Sequence, residues 1–185
     1  MSGRSYLLTA VLVFICFVMA CGSDDPVTGP GPPKIDDNLD FTRQDETPMN
    51  TGTDYWFACG AREAGYDDTF VLKVLCFGES LEESFWTLDI VVDDVEMDTS
   101  YTFPTGEANP AWFLIVDGST SNELNSYTQE SSGTITFTLL DCGPPLRVDF
   151  TVDCTVGSEY WDAPSVDVSG DFSCTVYSTQ LPPWL

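Results

Sequence analysis

The sequence predicts an all-β protein, an antiparallel β-sandwich or barrel-like fold of about nine strands, and three observations predict it. From residue 54 onward, short runs rich in β-branched and aromatic residues alternate apolar with polar positions. That is the period of a strand with one buried face. Clusters of Gly, Pro, Asn, Asp and Ser break those runs at short intervals, as turns between neighbouring strands do. No stretch beyond the leader carries the 3.6-residue period of an amphipathic helix.

The elements follow in order. Tyr55, Phe57 and Cys59 share one parity and make a first strand, followed by a loop over residues 60–68. Phe70, Leu72, Val74 and Cys76 line one face with Lys73 on the other, and Trp86, Leu88, Ile90 and Val92 oppose Thr87, Asp89 and Asp93. Tyr101 to Phe103 is a short strand closed by Pro104 and Gly106, because proline cannot donate to a ladder. Trp112 to Val116 is apolar at every position, the pattern of a strand covered on both faces. Leu124 to Gln129 is an edge candidate, and Ile135, Phe137 and Leu139 alternate with threonines up to Gly143-Pro144-Pro145. The clearest alternation is Val148, Phe150, Val152, Cys154 and Val156 against Arg147, Asp149, Thr151, Asp153 and Thr155. Val166, Val168, Phe172, Cys174 and Val176 then repeat it against Asp167, Ser169, Asp171, Ser173 and Thr175.

Residues 1–53 read differently. Arg4 is the only charged residue of the first 20, and Leu7 to Met19 (LLTAVLVFICFVM) is an apolar run of 13 residues. A bilayer-spanning helix needs about 20, so the run fits the hydrophobic region of a signal peptide. Residues 22–53 hold Pro26, Pro30, Pro32, Pro33 and Pro48 among Gly, Asp, Asn and Thr. Such a stretch predicts a stalk mixing flexible and polyproline segments, from which Leu39, Phe41 and Met49 dock locally on the domain. The expected organisation is a signal peptide over 1–20, a stalk over 21–53 and a β-domain over 54–185.

Val18-Met19-Ala20-Cys21, at the end of the apolar run, resembles the lipobox of bacterial lipoproteins. The resemblance covers about 21 residues and departs from the common pattern at Val18, usually Leu, and Met19, usually small. It implies cleavage between Ala20 and Cys21, a thioether-linked diacylglycerol on Cys21 and often a further acyl chain on its amino group. Several chains matter, since each buried CH₂ contributes about 0.8 kcal/mol and one chain holds only marginally. Gly22, in place of an aspartate after the cysteine, implies the outer membrane of a cell envelope. The other readings of the run are a short membrane anchor and an ordinary signal peptide. Within the β-domain, Ser132-Gly133-Thr134-Ile135-Thr136 and Val168-Ser169-Gly170-Asp171-Phe172 resemble glycine-centred strand phrases of bacterial β-sandwich lipoproteins. Asp98-Thr99-Ser100-Tyr101-Thr102 is similar to the strand that often precedes them. That family carries no known catalytic residues, so the resemblance implies a fold and a location and no chemistry.

Charge and composition exclude whole classes of function. Six Lys and Arg stand against 30 Asp and Glu, a formal net charge of −24, and loss of Arg4 with the leader makes it −25. Such a surface repels phosphates, so nucleic acid and anionic headgroups are not expected as direct partners. Twelve Phe, seven Tyr and five Trp supply a core, which argues against disorder throughout. The absence of histidine removes Ser-His-Asp and Cys-His catalysis, His-ligated zinc, facial-triad iron and haem with a His ligand.

With Cys16 leaving in the leader and Cys21 lipidated, Cys59, Cys76, Cys142, Cys154 and Cys174 remain. Outside the cytosol thiols tend to oxidise. Shared apolar parity favours the pairs Cys154–Cys174 and Cys59–Cys76, with Cys142 left over, although spacing alone leaves connectivity open. Spacings of 17, 66, 12 and 20 do not make a zinc site. Asp93, Asp94, Glu96 and Asp98 concentrate carboxylates at a strand end, a weak calcium candidate whose plain alternative is a solvated acidic turn. Tyr160 and Trp161 sit in a turn, either as a sugar- or peptide-stacking tip or as a plug over the end of the sandwich.

The function expected from these features is that of a lipid-anchored protein of the cell envelope, a non-enzymatic binding or structural module. It reaches the membrane through Cys21, takes a protein or glycan ligand, and needs no cofactor. The alternative is a carbohydrate-active enzyme using an Asp/Glu pair.

Overall fold

Alternation in the sequence becomes two facing antiparallel sheets. The computed structural model describes residues 33–47, 49–61, 70–78, 80, 83–104, 109–120, 122–158 and 164–177, with backbone alone at 59–61 and 70. All belong to one unit of residues 31–185; residues 1–30, the other unit, lie outside the described residues. The strands are β1 (Lys34–Asp37), β2 (Asp40–Arg43), β3 (Asp54–Ala61), β4 (Phe70–Phe77), β5 (Phe85–Val91), β6 (Ser100–Phe103), β7 (Ala111–Asp117), β8 (Asn122–Asn125), β9 (Ser132–Asp141), β10 (Leu146–Val156) and β11 (Val166–Val176). A single 3₁₀ turn, Val92–Asp94, is the one helical element among the described residues, and no described helix is long and apolar enough to cross a membrane.

One sheet runs β1-β11-β10-β9-β6, with β2 also paired to β11, and the other runs β3-β4-β5-β7-β8. Their inner faces meet in an aromatic layer. Trp86 and Phe113 of the five-stranded sheet lie edge-on to Phe172 and Phe150 of the six-stranded sheet, at centroid distances of 5.9 and 6.4 Å. Phe150 and Phe172 stack at 5.3 Å between neighbouring strands. Offset and edge-on rings of this kind add about 0.5–1.5 kcal/mol per pair beyond area burial. The alternating residues named from the sequence as apolar faces, from Leu72 through Val176, are buried in this core or, at Val92, packed against it, except Leu139: a β-bulge opposite Asp149 and Phe150 sets it beside the outward Asp149, and Leu140 packs on the core in its place.

Two strands lie where the sequence was read as stalk. Residues 34–43 pair with β11 in one continuous register, Lys34 opposite Thr175 through Arg43 opposite Val166, interrupted only at Asn38–Leu39. The β-domain therefore includes residues 34–43 and does not start at 54. Phe41 and Met49 are buried and Leu39 packs on the core. Asp37 and Arg43 occupy the same parity as Ile35, Leu39 and Phe41, and these charges hide the alternation; the pairing comes from β11, whose partners run from Thr175 opposite Lys34 to Val166 opposite Arg43. The interruption sits against Gly170, whose φ is +128° and whose missing side chain admits the backbone of residue 38: a Cβ there would lie 2.2 Å from the Asn38 carbonyl oxygen. Gly133 (φ +100°) opposes Cys154 in the same way, with the Asp153 carbonyl oxygen 2.3 Å from a would-be Cβ. Both glycine-centred phrases thus mark close backbone approach.

The expected edge at 124–129 is displaced to Asn122–Asn125. Beyond it the chain turns because buried serines serve the backbone: the Phe113 N–H donates to Ser126 Oγ, and the Gly157 N–H to Ser131 Oγ, both within 3 Å.

Candidate interaction surface

The outward faces of the two sheets differ in chemistry. On the six-stranded sheet, Arg147, Thr151 and Asp153 of β10 and Asp167, Ser169 and Asp171 of β11 point to water and are exposed. Thr155 and Ser173 there donate to Asp167 and Asp149 across the strands. This is a solvated, acidic and hydroxyl-rich surface.

The five-stranded sheet is different, because β3, β4, β5 and β7 place apolar residues at their outward positions as well. In register, Trp56 stands beside Leu75, Thr87 and Leu114; Phe77 beside Asp54; and Phe85 beside Val116. Val71 and Val91 form a further pair. Leu75 is 7% exposed although it is not part of the core between the sheets; the other apolar residues are half-buried, and Asp54 is exposed. One ion pair interrupts this face. Lys73 Nζ lies 3.1 Å from Asp89 Oδ2, with Ala58 and Trp112 on either side in the same row. Uncovered apolar surface of several hundred Å² marks an interaction site; here each large apolar residue is half-buried or, at Leu75, buried.

Polar links between the sheets hold the scaffold beneath this face. Arg43 of β2 and Asp117 of β7 form a bidentate clasp, Nε to Oδ2 at 2.7 Å and Nη2 to Oδ1 at 2.8 Å, with their side chains 13% and 4% exposed. The Ser119 hydroxyl and N–H also donate to Asp117. The guanidinium holds the Asp117 carboxyl well below the usual carboxylate range, and hydrogen bonding to Asp117 raises Arg43 in turn. At the opposite part of the same edge, the Tyr55 hydroxyl donates to Asp37, and burial, foremost, raises its pKa.

The cysteines depart from the expected pairing. Cys76, Cys154 and Cys174 are buried free thiols, so neither Cys154–Cys174 nor Cys59–Cys76 forms. Register explains why. Cys154 faces Val168 and Cys174 faces Val148, an offset of roughly 20 Å along the strands, whereas a bridge needs Cα atoms within about 7 Å. Cys59 faces Leu72 and Cys76 faces Tyr55, an offset of roughly 13 Å. Parity put these residues on one face without fixing their height along it. Burial pushes all three thiols up to about 12, which leaves them inert. Cys142, expected to be the odd one, is instead disulfide-bonded; its partner is among Cys16, Cys21 and Cys59, whose side chains lie outside the described residues.

The acidic candidates do not converge. Asp93, Asp94, Glu96 and Asp98 are all exposed around the 3₁₀ turn, and no group of three His, Cys, Asp or Glu among the described residues is arranged to hold a metal ion. The calcium reading gives way to a solvated turn. Ala20, Cys21, Tyr160 and Trp161 lie outside the described residues. The apolar outer face was missed in the sequence except at one point: Trp112–Val116, apolar at every position, carried its signal. Compared with family models, with curated proteins and with solved structures, the chain matches none.

Proposed function

We propose that this chain is a lipid-anchored protein of the bacterial cell envelope, in the outer membrane, working as a non-enzymatic binding module through the outer face of its five-stranded sheet. The observation that carries the anchor is Val18-Met19-Ala20-Cys21 directly after a 13-residue apolar run. The binding role rests on a sheet face that is apolar in a chain of net charge −24.

The electrostatics favour binding over glycosidic chemistry. A glycosidase acid needs a carboxyl with a raised pKa. Among the described carboxylates with a displaced pKa, Asp45 is lowered by its hydrogen bonds from Thr47, and Asp117 by Arg43. Both move the wrong way for that role.

Replacing Cys21 with Ala and feeding cells a fatty-acid probe tests the anchor. Labelling of the wild-type chain should vanish in the variant, and the variant should leave the membrane fraction. Equal labelling of both chains overturns the reading.

A further inference from the structure

We infer that Cys142 is bonded to Cys59, in a disulfide that ties the two sheets together at the end of the sandwich away from the Arg43–Asp117 clasp. Strand register carries the assignment, independently of the lipobox and of the apolar face.

Height along the strands brings the two cysteines together. On the five-stranded sheet, Tyr55, Cys76, Trp86 and Ile115 form one row, and Asp117, beyond Ile115 on β7, joins Arg43 of β2. Arg43 lies opposite Val166, at the start of β11. The Tyr55 ring lies 5.7 Å from that of Phe172, further along β11. From Tyr55 to Cys59 the chain therefore runs away from the clasp, as β11 does from Phe172 to Val176. Each step is four residues, a rise of about 13 Å, so Cys59 reaches the height of Val176 and of its partner Leu146. Cys142 sits at that height. It follows Asp141, which pairs with Arg147, and the Gly143-Pro144-Pro145 turn leads from it into Leu146. The sheets also cross, as packed sheets do. Near the clasp β2 reaches β7, whereas Asp37 of β1 is met by Tyr55 of β3. The same rotation, continued past Tyr55, carries β3 inward over β10 and β9, whose connecting turn holds Cys142. Parity agrees: Tyr55 and Phe57 turn to the core, Cys59 shares their parity on β3, and Cys142 packs against the same core.

Exposure sorts the remaining cysteines. Cys76, Cys154 and Cys174 are thiols buried in the core, sealed from oxidants, whereas Cys142 is half-buried and bonded. A thiol that solvent reaches is the one an oxidising compartment converts. Bond formation takes two protons and two electrons from the thiols of Cys59 and Cys142. A protein disulfide donor accepts them by thiol–disulfide exchange and leaves as a dithiol. The bridge encloses residues 60–141, β4 through β9, and a loop that long loses much chain entropy when tied. It also completes a series of links between the sheets: Arg43–Asp117 at one end, Asp37–Tyr55 further along, and Cys59–Cys142 at the other end. Cys21 then keeps its thiol for the acyl chain of the proposed anchor.

Peptide mapping of the full chain, expressed with its leader in a bacterial host and alkylated with iodoacetamide before denaturation, tests this. Digestion with trypsin and an acid-specific protease places Cys59, Cys76 and Cys142 on separate peptides. A Cys59–Cys142 peptide pair that disappears on reduction is expected. Cys142 alkylated as a free thiol, or joined to Cys16 or Cys21, overturns the assignment. Cys59→Ser should leave Cys142 open to iodoacetamide, and Cys59→Ser and Cys142→Ser should each lower Tm by roughly 5–15 °C. The double variant should melt with the single ones, because all three lack the same bond; additive losses overturn the bridge. Should a variant fail to fold, the wild-type map decides alone. Two outcomes separate the bridge from the anchor. Cys142 joined to Cys21 overturns both, since an acylated sulfur cannot form a disulfide. A Cys59–Cys142 pair in a chain whose fatty-acid labelling survives Cys21→Ala supports the bridge and overturns the anchor alone.

Discussion

The Arg43–Asp117 clasp should be the most sensitive polar contact in the domain. Asp117→Asn keeps the shape and removes the charge, leaving the Arg43 guanidinium, 13% exposed, facing an amide that offers one acceptor and opposes it with N–H groups. The loss comprises two charge-assisted hydrogen bonds at 2.7 and 2.8 Å, each contributing about 1.5–3 kcal/mol. Breaking a buried pair from one side costs about 3–5 kcal/mol. Arg43 retains some contact with water and with Ser119, so the expected cost is ~2–4 kcal/mol. For a domain of this size that lowers Tm by roughly 5–12 °C.

The pH dependence has a definite sign. The folded Asp117 pKa lies below its unfolded value of about 3.9. The clasp therefore contributes fully above that unfolded value, and its contribution is lost as pH falls through the folded pKa. Urea melts at pH 7 and at steps below pH 4 should show wild type losing its advantage over Asp117→Asn as acid is added. Replacing both partners with apolar residues, Arg43→Met with Asp117→Leu, should recover most of the loss at pH 7, since no charge is left buried. A single variant within ~0.5 kcal/mol of wild type at pH 7, a size typical of neutral surface changes, would refute the reasoning.

Other expectations concern the cysteines and the strand glycines. Cys76, Cys154 and Cys174, buried with pKa near 12, should resist iodoacetamide in the folded chain and react after denaturation; labelling of any of them under native conditions contradicts their burial. If Cys16 leaves with the leader and Cys21 is acylated, Cys142 must bridge Cys59, and non-reducing peptide mapping should recover that pair and no other. Gly170→Ala and Gly133→Ala each force a Cβ to within 2.3 Å of a carbonyl oxygen at positive φ. Each should destabilise by at least ~2 kcal/mol, and a melting temperature unchanged by either would show that the backbone can retreat.

How much of this was legible is best seen strand by strand. β10 and β11 could be read almost to the residue, because period-two alternation with threonine and aspartate outside is a local signal that burial on one face enforces. The all-β class and the excluded chemistries that depend on histidine are likewise properties of residue type and short spacing, and the resemblance of Val18-Met19-Ala20-Cys21 to a lipobox rests on the same kind of signal. What needed the tertiary structure were quantities set by register between distant segments. Lys34–Asp37 and Asp40–Arg43 are strands only because β11 pairs with them, and across the sheets Asp37 is met by Tyr55 and Arg43 by Asp117. Cys154 and Cys174 share a parity that the sequence reveals and a separation along the strands that it does not. The apolar outer face is a sum over β3, β4, β5 and β7, each unremarkable alone. Local sequence specifies which way a side chain points; strand pairing decides at what height and beside what.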